Sequence, residues 1–245
     1  MPRSPRFFIS PEQVIGSRIT ISGEDVSHLA TVLRMKPGDS LVLCDGIGTD
    51  YLVTIVHIGR TEIGAEIVSQ SKRDIASPRI ILGQGLPKSD KMDFIVQKAT
   101  ELGVSSIVPI VTERTIVKVK DEEKRITRWG KIAREAAMQS NRPDIPVVEN
   151  IQHFAKYLDK IVVDPGTLLL FPWEEATMPI KDVLRGKSDM KRIVVLIGPE
   201  GGFSVSESGL AQQKGFHPVS LGTNILRTET AAIAVLSMIG YEFFS

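Results

Sequence analysis

Two glycine turns near the C-terminus, each directly after an apolar run, constrain the fold of this chain most. The run Arg192–Ile197 leads into Gly198-Pro199-Glu200-Gly201-Gly202, which has three glycines in five residues. The shorter run Pro218–Leu221 leads into a second turn at Gly222. Glycine has no Cβ, so the backbone at such turns can come close to another segment or to a ligand. We expect the two strands to be neighbours, so that their turns place bare amide and carbonyl groups around one crevice that a flat ligand can enter.

Helix signals follow both glycine turns. Ser204 precedes Glu207 by three residues, which is typical of a capping box, and Gly215 is placed to end the helix that begins there. After the second turn, the apolar residues of 230–239 predict another helix. Each glycine turn is therefore predicted to join a strand to a helix.

From Arg79 onward the chain alternates predicted strands with predicted helices, which is typical of an α/β domain with a mostly parallel sheet. In the first helix, apolar residues recur on one face and Gly103 is placed to end it. The predicted strands are 79–84, 106–110, 167–171, 192–197 and 218–221, and the predicted helices are 91–102, 124–140, 206–214 and 230–239.

The N-terminal part is instead rich in β-branched and apolar runs that predict strands, notably 41–44, 51–58 and 65–68. One short helix is expected at about 24–34. Short strands at regular spacing indicate a small barrel. We therefore predict two domains, 1–72 and 73–245.

Composition excludes several classes of protein. The single cysteine, Cys44, excludes an internal disulfide, and the four scattered histidines show no metal-ligand spacing, so no metal site is expected. The N-terminus has no apolar core of a signal peptide, and no apolar stretch approaches the roughly 20 residues of a membrane span. We expect a cytoplasmic protein without membrane contact.

Common nucleotide and hydrolase motifs are absent from the sequence. Gly83-Gln84-Gly85 follows a predicted strand, but Lys88 occupies the third glycine position of a dinucleotide fingerprint. The chain also lacks a phosphate-binding P-loop and a G-x-S-x-G nucleophile elbow. The glycine turns therefore do not belong to these classes.

The glycine turns, together with Leu226-Arg227-Thr228-Glu229-Thr230-Ala231, resemble those of the SPOUT methyltransferases, and within them the RsmE type. The likeness continues through Arg6-Phe7-Phe8, 28–34, 88–103, Arg128-Trp129 and 135–142. The resemblance implies a PUA-like RNA-binding barrel followed by a trefoil-knotted α/β domain. It further implies a homodimer that transfers a methyl group from S-adenosylmethionine to N3 of a uridine in 16S ribosomal RNA of the small ribosomal subunit.

The resemblance and the glycine turns together give a predicted cofactor site. Its backbone groups would contact the adenine while apolar side chains cover the ring faces. The methionine moiety and the sulfonium would lie near 228–231 and the loop after Phe171. The predicted cofactor-binding residues are Phe171, Ile197, Gly198, Pro199, Glu200, Gly201, Gly202, Leu221, Gly222, Ile225, Leu226, Thr228, Thr230 and Ala231.

Methylation at N3 requires that the uracil imide lose its proton, so a base or a cation that stabilises the resulting anion is expected. Glu229 is a candidate base and Arg227 a candidate ligand of a carbonyl or phosphate. A structural alternative is helix capping, with Glu229 at the positive end of a helix dipole and Arg227 as its ion-pair partner. The resemblance adds Arg142 as a third catalytic candidate.

Docking of RNA is expected to use local basic patches, since the net charge is only +1. Residues 113–142 hold nine Lys/Arg against five Asp/Glu. The alternatives for this segment are a solvated helix face or a seam of interhelical salt bridges. The predicted RNA-binding residues are Arg6, Arg34, Lys91, Lys98, Arg128 and Gln139.

Two other functions are compatible with the same pocket. A SPOUT enzyme can instead methylate a ribose 2′-oxygen, and an RNA-binding assembly factor can keep the pocket without turnover. Homodimerisation is also expected because apolar residues lie on two sides of the C-terminal helix, which predicts burial against the sheet and against a second surface. A helix buried wholly within one subunit is the alternative.

Overall fold

The computed structural model describes residues 5–75, 77–117, 121–187 and 189–244. It divides into two compact units. One comprises the chain up to residue 75 together with 137–145, and the other comprises 76–136 and 146–245. The division at residues 72 and 73 expected from the sequence stays a prediction.

The first unit is built on a six-stranded sheet in the order β1-β4-β5-β6-β3-β2, in which only the β1–β4 pair is parallel. Alternate residues of these strands point into one apolar core, as in β3, where Ile19 and Ile21 are buried between exposed neighbours. The strands are β1 Arg6–Phe8, β2 Val14–Ile15, β3 Arg18–Ser22, β4 Ser40–Cys44, β5 Thr49–Ile58 and β6 Glu62–Lys72.

The helix expected at 24–34 is shorter than predicted. Helix α1 covers only Glu24–Ser27 and continues as a single π turn, His28–Val32. A separate 3-10 turn, Pro11–Gln13, lies earlier in the chain. The π turn follows from the Leu33 amide, which donates to the carbonyl of His28, five residues back. Arg34 then takes a left-handed conformation, with φ of 53°, and ends the segment.

The second unit is an α/β fold around a seven-stranded sheet whose paired strands are all parallel, in the order β10-β8-β7-β12-β11-β13, with β9 beside β8. The strands are β7 Arg79–Gly85, β8 Ser106–Val111, β9 Val147–Val148, β10 Gln152–His153, β11 Thr167–Pro172, β12 Arg192–Ile197 and β13 His217–Val219. The helices are α2 Lys91–Glu101, α3 Glu122–Gln139, α4 Phe154–Lys160, α5 Ile180–Leu184, α6 Val205–Gln213 and α7 Thr228–Phe243.

One expectation about this sheet is wrong. The two strands that lead into the glycine turns are not neighbours, because β11 lies between β12 and β13 and pairs in parallel with both. The turns still lie at the same edge, since all three strands run in the same direction. Open parallel sheets bind ligands outside the carboxyl ends of their strands.

The C-terminal helix α7 is longer than the predicted 230–239 and packs mainly within its own unit. Ala232, Val235, Leu236 and Ile239 are buried in the core that α7 shares with α2 and the sheet. None of the helices in the described residues is long and apolar enough to cross a membrane.

Candidate functional site

A cavity of about 400 Å³ lies at the carboxyl ends of β11, β12 and β13, within the second unit. Its walls are three loops that follow these strands and the N-terminal turns of α2 and α7. The residues that line it are Lys91, Pro172, Trp173, Glu174, Ile197, Gly198, Pro199, Glu200, Gly202, Phe203, Ser220, Leu221, Gly222, Thr223, Asn224, Ile225, Leu226, Arg227, Thr228 and Ala231.

The loop after β12 lies directly against the end of β7, and Gly85 makes this approach possible. A Cβ on Gly85 would lie 2.6 Å from both N and Cδ of Pro199, closer than real atoms pack. The loop itself turns through a hydrogen bond of 2.9 Å from the Gly202 amide to the Pro199 carbonyl. Gly202 has φ of 66°, the left-handed region that glycine adopts without strain.

This loop is held from its outer side by the segment after β8. The guanidinium of Arg114 donates to the Gly201 carbonyl at 2.8 Å. The carboxylate of Glu207 accepts hydrogen bonds from the amides of Glu113 and Ser204, at 2.8 and 3.0 Å. The Ser204 hydroxyl accepts from the Glu207 amide, so the predicted capping box is present.

The second loop, between β13 and α7, leaves its backbone exposed to the cavity. Gly222 has φ of 134°, which favours glycine at this position. In the described structure, the amides and carbonyls of Thr223 to Leu226 make no hydrogen bond with the protein. Backbone groups without partners beside a cavity are available to a polar, planar ligand.

The two loops are joined by Thr228 at the start of α7. Its hydroxyl donates to the Gly198 carbonyl at 2.6 Å and accepts from the side-chain amide of Gln84 at 2.9 Å. Thr228 is buried despite its polarity, and these hydrogen bonds compensate for that burial.

One ammonium group and two carboxylates form an ion cluster at the cavity edge. Nζ of Lys91 lies 2.9 Å from Glu200 and 3.4 Å from Oε2 of Glu229. The hydrogen bond with Glu200, supported by the charges of both carboxylates, raises the pKa of Lys91. Partial burial opposes ionisation of Glu200, but the hydrogen bonds from Lys91 and from the Lys88 amide outweigh it and lower its pKa. Both groups are therefore charged at neutral pH.

Most of the predicted cofactor residues line this cavity, and three do not: Phe171, Gly201 and Thr230. Phe171 is fully buried below it, with its ring 5.0 Å from that of Phe203. A Cβ on Gly201 would face Arg114 rather than the cavity. Sequence reasoning expected the loop after Phe171 near the methionine moiety of the cofactor, but it named no residue of that loop. The lining residues it missed are Pro172, Trp173, Glu174, Phe203, Ser220, Thr223 and Asn224.

The predicted catalytic residues are in different places. Arg227 lines the cavity and is exposed, whereas Glu229 lies beside Lys91, 3.4 Å from its Nζ, and is not part of the lining. Arg142 belongs to the first unit, where its guanidinium donates to both carboxylate oxygens of Asp144, and only 11% of its side chain is exposed.

The predicted RNA-binding residues also fall into distinct groups. Arg6 is mostly buried in a bidentate ion pair with Asp50, so its charge is not available to a phosphate. Arg34 and Gln139 are exposed in the first unit.

Three lysine and arginine candidates lie in the second unit, each in an ion pair. Lys98 is paired with Glu101 at 2.8 Å, and Lys91 is held in the ion cluster. Arg128 is exposed and donates to Asp93, whose other oxygen accepts from the Trp129 indole. No group of three metal-ligating side chains occurs in the described part of the chain.

Comparison with known proteins places this geometry in context. A model of RNA methyltransferase domains matches residues 75–240, and one of RNA methyltransferase PUA domains matches residues 21–68. Ribosomal RNA small subunit methyltransferase E of Bacillus subtilis is 33% identical over 239 residues, which cover 91% of this chain and 90% of that protein.

Solved structures agree with this similarity. The Neisseria gonorrhoeae ribosomal RNA small subunit methyltransferase E bound to S-adenosyl methionine has a TM-score of 0.88 at 32% identity, covering 98% of both chains. A methyltransferase of Legionella pneumophila, in complex with the cofactor SAM, has a TM-score of 0.87 at 31% identity, also covering 98% of both chains.

Proposed function

This chain belongs to the family of RNA methyltransferases that combine a PUA domain with a SPOUT-type α/β domain, and from that membership we propose its reaction. It transfers a methyl group from S-adenosylmethionine to N3 of a uridine in 16S ribosomal RNA, in the cytoplasm. The observation that carries the proposal is the cavity at the glycine turns, in the same fold as relatives that bind this cofactor.

The residues around the cavity fit S-adenosylmethionine. Its planar adenine has donors and acceptors on its edge, which match the unpaired backbone groups of Thr223 to Leu226. Leu221 and Leu226 offer apolar side chains to the ring faces. Gly198 lets the loop fold closely on itself, since a Cβ there would lie 3.0 Å from the Gly202 Cα. When bound, the cofactor supplies a methyl group activated by a sulfonium.

The chain's own residues then have two tasks, to position the uracil and to stabilise the charge that forms on it. Arg227 is the best-placed cation, because it lines the cavity and makes no ion pair in the described structure. Its guanidinium can donate to a uracil carbonyl as negative charge develops on the imide. Arg142 stays a candidate through the resemblance alone, because its guanidinium is mostly buried and paired with Asp144.

Glu229 remains the candidate proton acceptor. Its Oε2 is buried and lies 3.4 Å from Nζ of Lys91, without the alignment of a hydrogen bond. A carboxylate oxygen without a hydrogen-bond donor retains capacity to accept one. Glu229 would act from within the ion cluster and outside the cavity lining, so a water molecule or a movement of Lys91 would have to connect it to the uracil.

The modified nucleoside tests the function directly. We expect 16S ribosomal RNA from a deletion strain to lack one N3-methyluridine, and the parent gene to restore it. Mass spectrometry of nucleosides from digested RNA distinguishes this product from a 2′-O-methylnucleoside. Loss of a ribose methylation would favour the alternative SPOUT activity, and unchanged nucleosides would favour an assembly factor without turnover.

We propose that helix α3 contributes to RNA docking. A shallow depression on its surface is lined by Lys124, Arg128 and Lys131 together with Glu123, Thr127 and Ile132. Cations spaced along one helix surface match the phosphates of an RNA backbone. Arg34 of the first unit, exposed at the left-handed turn, is the second proposed contact.

Charge reversal tests this surface. Arg128→Glu and Arg34→Glu should each weaken RNA binding and reduce the slope of log K against log salt by about 0.7–0.9 for each phosphate that the protein no longer neutralises. Filter binding across a salt series measures both quantities. Arg185→Glu reverses an exposed charge outside α3 and should have a smaller effect. Equal slopes for the parent and both variants would contradict the proposed surface.

We also propose a homodimer. Several large apolar side chains of the second unit are exposed, among them Phe94 at 45% and Tyr241 at 85%. Large exposed aromatic residues commonly mark protein interfaces. Sedimentation velocity should show a dimer that Phe94→Glu and Tyr241→Glu together dissociate. A parent protein that is fully active as a monomer would refute this proposal.

A further inference from the structure

Gln84 is a polar residue at a position where the strand pattern calls for an apolar one. It lies on β7 at the same face as Ile80 and Leu82, and all three are completely buried. Its strand partner on β12 is Ile197, the residue immediately before the glycine loop. Gln84 therefore lies beneath the cofactor site without lining it.

The side-chain amide of Gln84 is only partly satisfied. Nε2 donates to the Gly85 carbonyl and to Oγ1 of Thr228, each at 2.9 Å. Oε1 is buried and has no hydrogen-bond partner among the described residues. A buried acceptor without a partner is unfavourable, and an apolar side chain of the same size would avoid this cost. Stability alone therefore does not explain glutamine at this position.

The hydrogen bonds give another reason for glutamine at this position, because they fix the orientation of its side-chain amide. The Gly85 carbonyl can only accept, so the amide must present Nε2 on this side, and Nε2 also reaches Thr228. Since Oγ1 of Thr228 accepts from Nε2, its one proton is directed to the Gly198 carbonyl, where the distance is 2.6 Å. A reversed amide would draw that proton toward Gln84 and leave Gly198 without a donor.

We propose that Gln84 is a positioning residue for the cofactor site. By directing the Thr228 hydroxyl to Gly198, it holds the glycine loop after β12 at a fixed place against the N-terminus of α7. Both segments contribute residues to the lining of the cavity. The inference rests on the proposed function only in taking S-adenosylmethionine as the ligand.

Removal of the amide should weaken cofactor binding more than it weakens the fold. Gln84→Met keeps the length of the side chain but has no donor, and Thr228→Val keeps the shape but has no hydroxyl. We expect each to raise the Kd for S-adenosylmethionine about five- to tenfold by calorimetry. The double variant should bind the cofactor as tightly as the weaker-binding single variant, because the two substitutions interrupt the same chain of hydrogen bonds.

Three comparisons separate positioning from general destabilisation. Thr228→Ser retains the hydroxyl and should recover most of the cofactor affinity that Thr228→Val loses. The melting temperature and RNA affinity of Gln84→Met should stay close to those of the parent. Thr100→Val removes another buried hydroxyl, which donates to Val96 within α2, and should leave the cofactor Kd unchanged.

The outcomes distinguish this inference from the function on which it rests. If the parent binds S-adenosylmethionine and Gln84→Met binds it equally well, the positioning role is refuted and the proposed function stands. Strictly additive effects of Gln84→Met and Thr228→Val would refute it as well. If the parent itself does not bind the cofactor, the proposed function fails, and the inference fails with it.

Discussion

Replacement of Ala231 by phenylalanine should abolish binding of S-adenosylmethionine, with a loss of more than about 100-fold in affinity. Ala231 lies in the first turns of α7 and lines the cavity. A phenyl ring there would occupy a large part of the roughly 400 Å³ space. Displacing the ligand from its pocket removes most of its buried contacts, and each factor of ten corresponds to about 1.4 kcal/mol. Calorimetry measures the affinity.

A matched control keeps this test specific to the cavity. Ser237→Phe places the same side chain on the same helix at an exposed position outside the lining. It should bind cofactor like the parent. Both variants should keep the parent's circular dichroism spectrum, because phenylalanine is acceptable in a helix. Undiminished affinity in Ala231→Phe would place the cofactor elsewhere.

The sequence is most informative where one residue type has one physical reason to occur. The capping box of Ser204 and Glu207 and the core strand Arg192–Ile197 are predicted correctly, because local chemistry determines both. Gly202 and Gly222 have positive φ, and glycine is the residue that tolerates it. Such residues place the cavity at the correct edge of the sheet.

The remaining errors concern properties that no local pattern encodes. The order of strands in the sheet depends on how the connections between strands cross it. No residue near Phe171 therefore indicates that β11 lies between β12 and β13. The loop after Phe171 is expected near the cofactor, but its lining residue Trp173 is not predicted, because no local pattern shows which side chains of that loop face the cavity. Ion pairing is equally non-local, as Arg6 pairs with Asp50 across 44 residues of sequence. The sequence alone therefore does not distinguish an arginine that binds RNA from one that is neutralised by a distant carboxylate.

Gln84 shows how far the sequence alone can go. A polar residue between two glycines at the end of an apolar strand is visible in the sequence, where it suggests only an incomplete nucleotide motif. Its partner Thr228 is 144 residues away. Only the fold brings together the strand end, the glycine loop and the start of α7, and with them the hydrogen bonds that give the residue a role.

Arg227→Ala should slow methyl transfer by about 10²–10³-fold in single-turnover measurements at neutral pH, with a much smaller effect on cofactor affinity. The loss of one well-placed donor to a developing anion has this magnitude. Arg227 is exposed at the cavity and precedes α7 as its N-cap residue, but its side chain makes no capping hydrogen bond, so its removal should not destabilise the helix. Arg227→Lys retains the charge without the planar guanidinium and should have an intermediate rate.

The dependence of the rate on pH identifies the role of Arg227. If the guanidinium stabilises the uracil anion, its loss leaves deprotonation of the imide unfavourable. The methyl-transfer rate of Arg227→Ala should then keep rising with pH beyond the pH at which the parent's rate levels off. The difference between the two rates should therefore become smaller at alkaline pH. Glu229→Gln should instead lower the rate without changing cofactor affinity if Glu229 is the base. An Arg227→Ala variant with a normal rate and a raised Kd would make Arg227 a binding residue rather than a catalytic one.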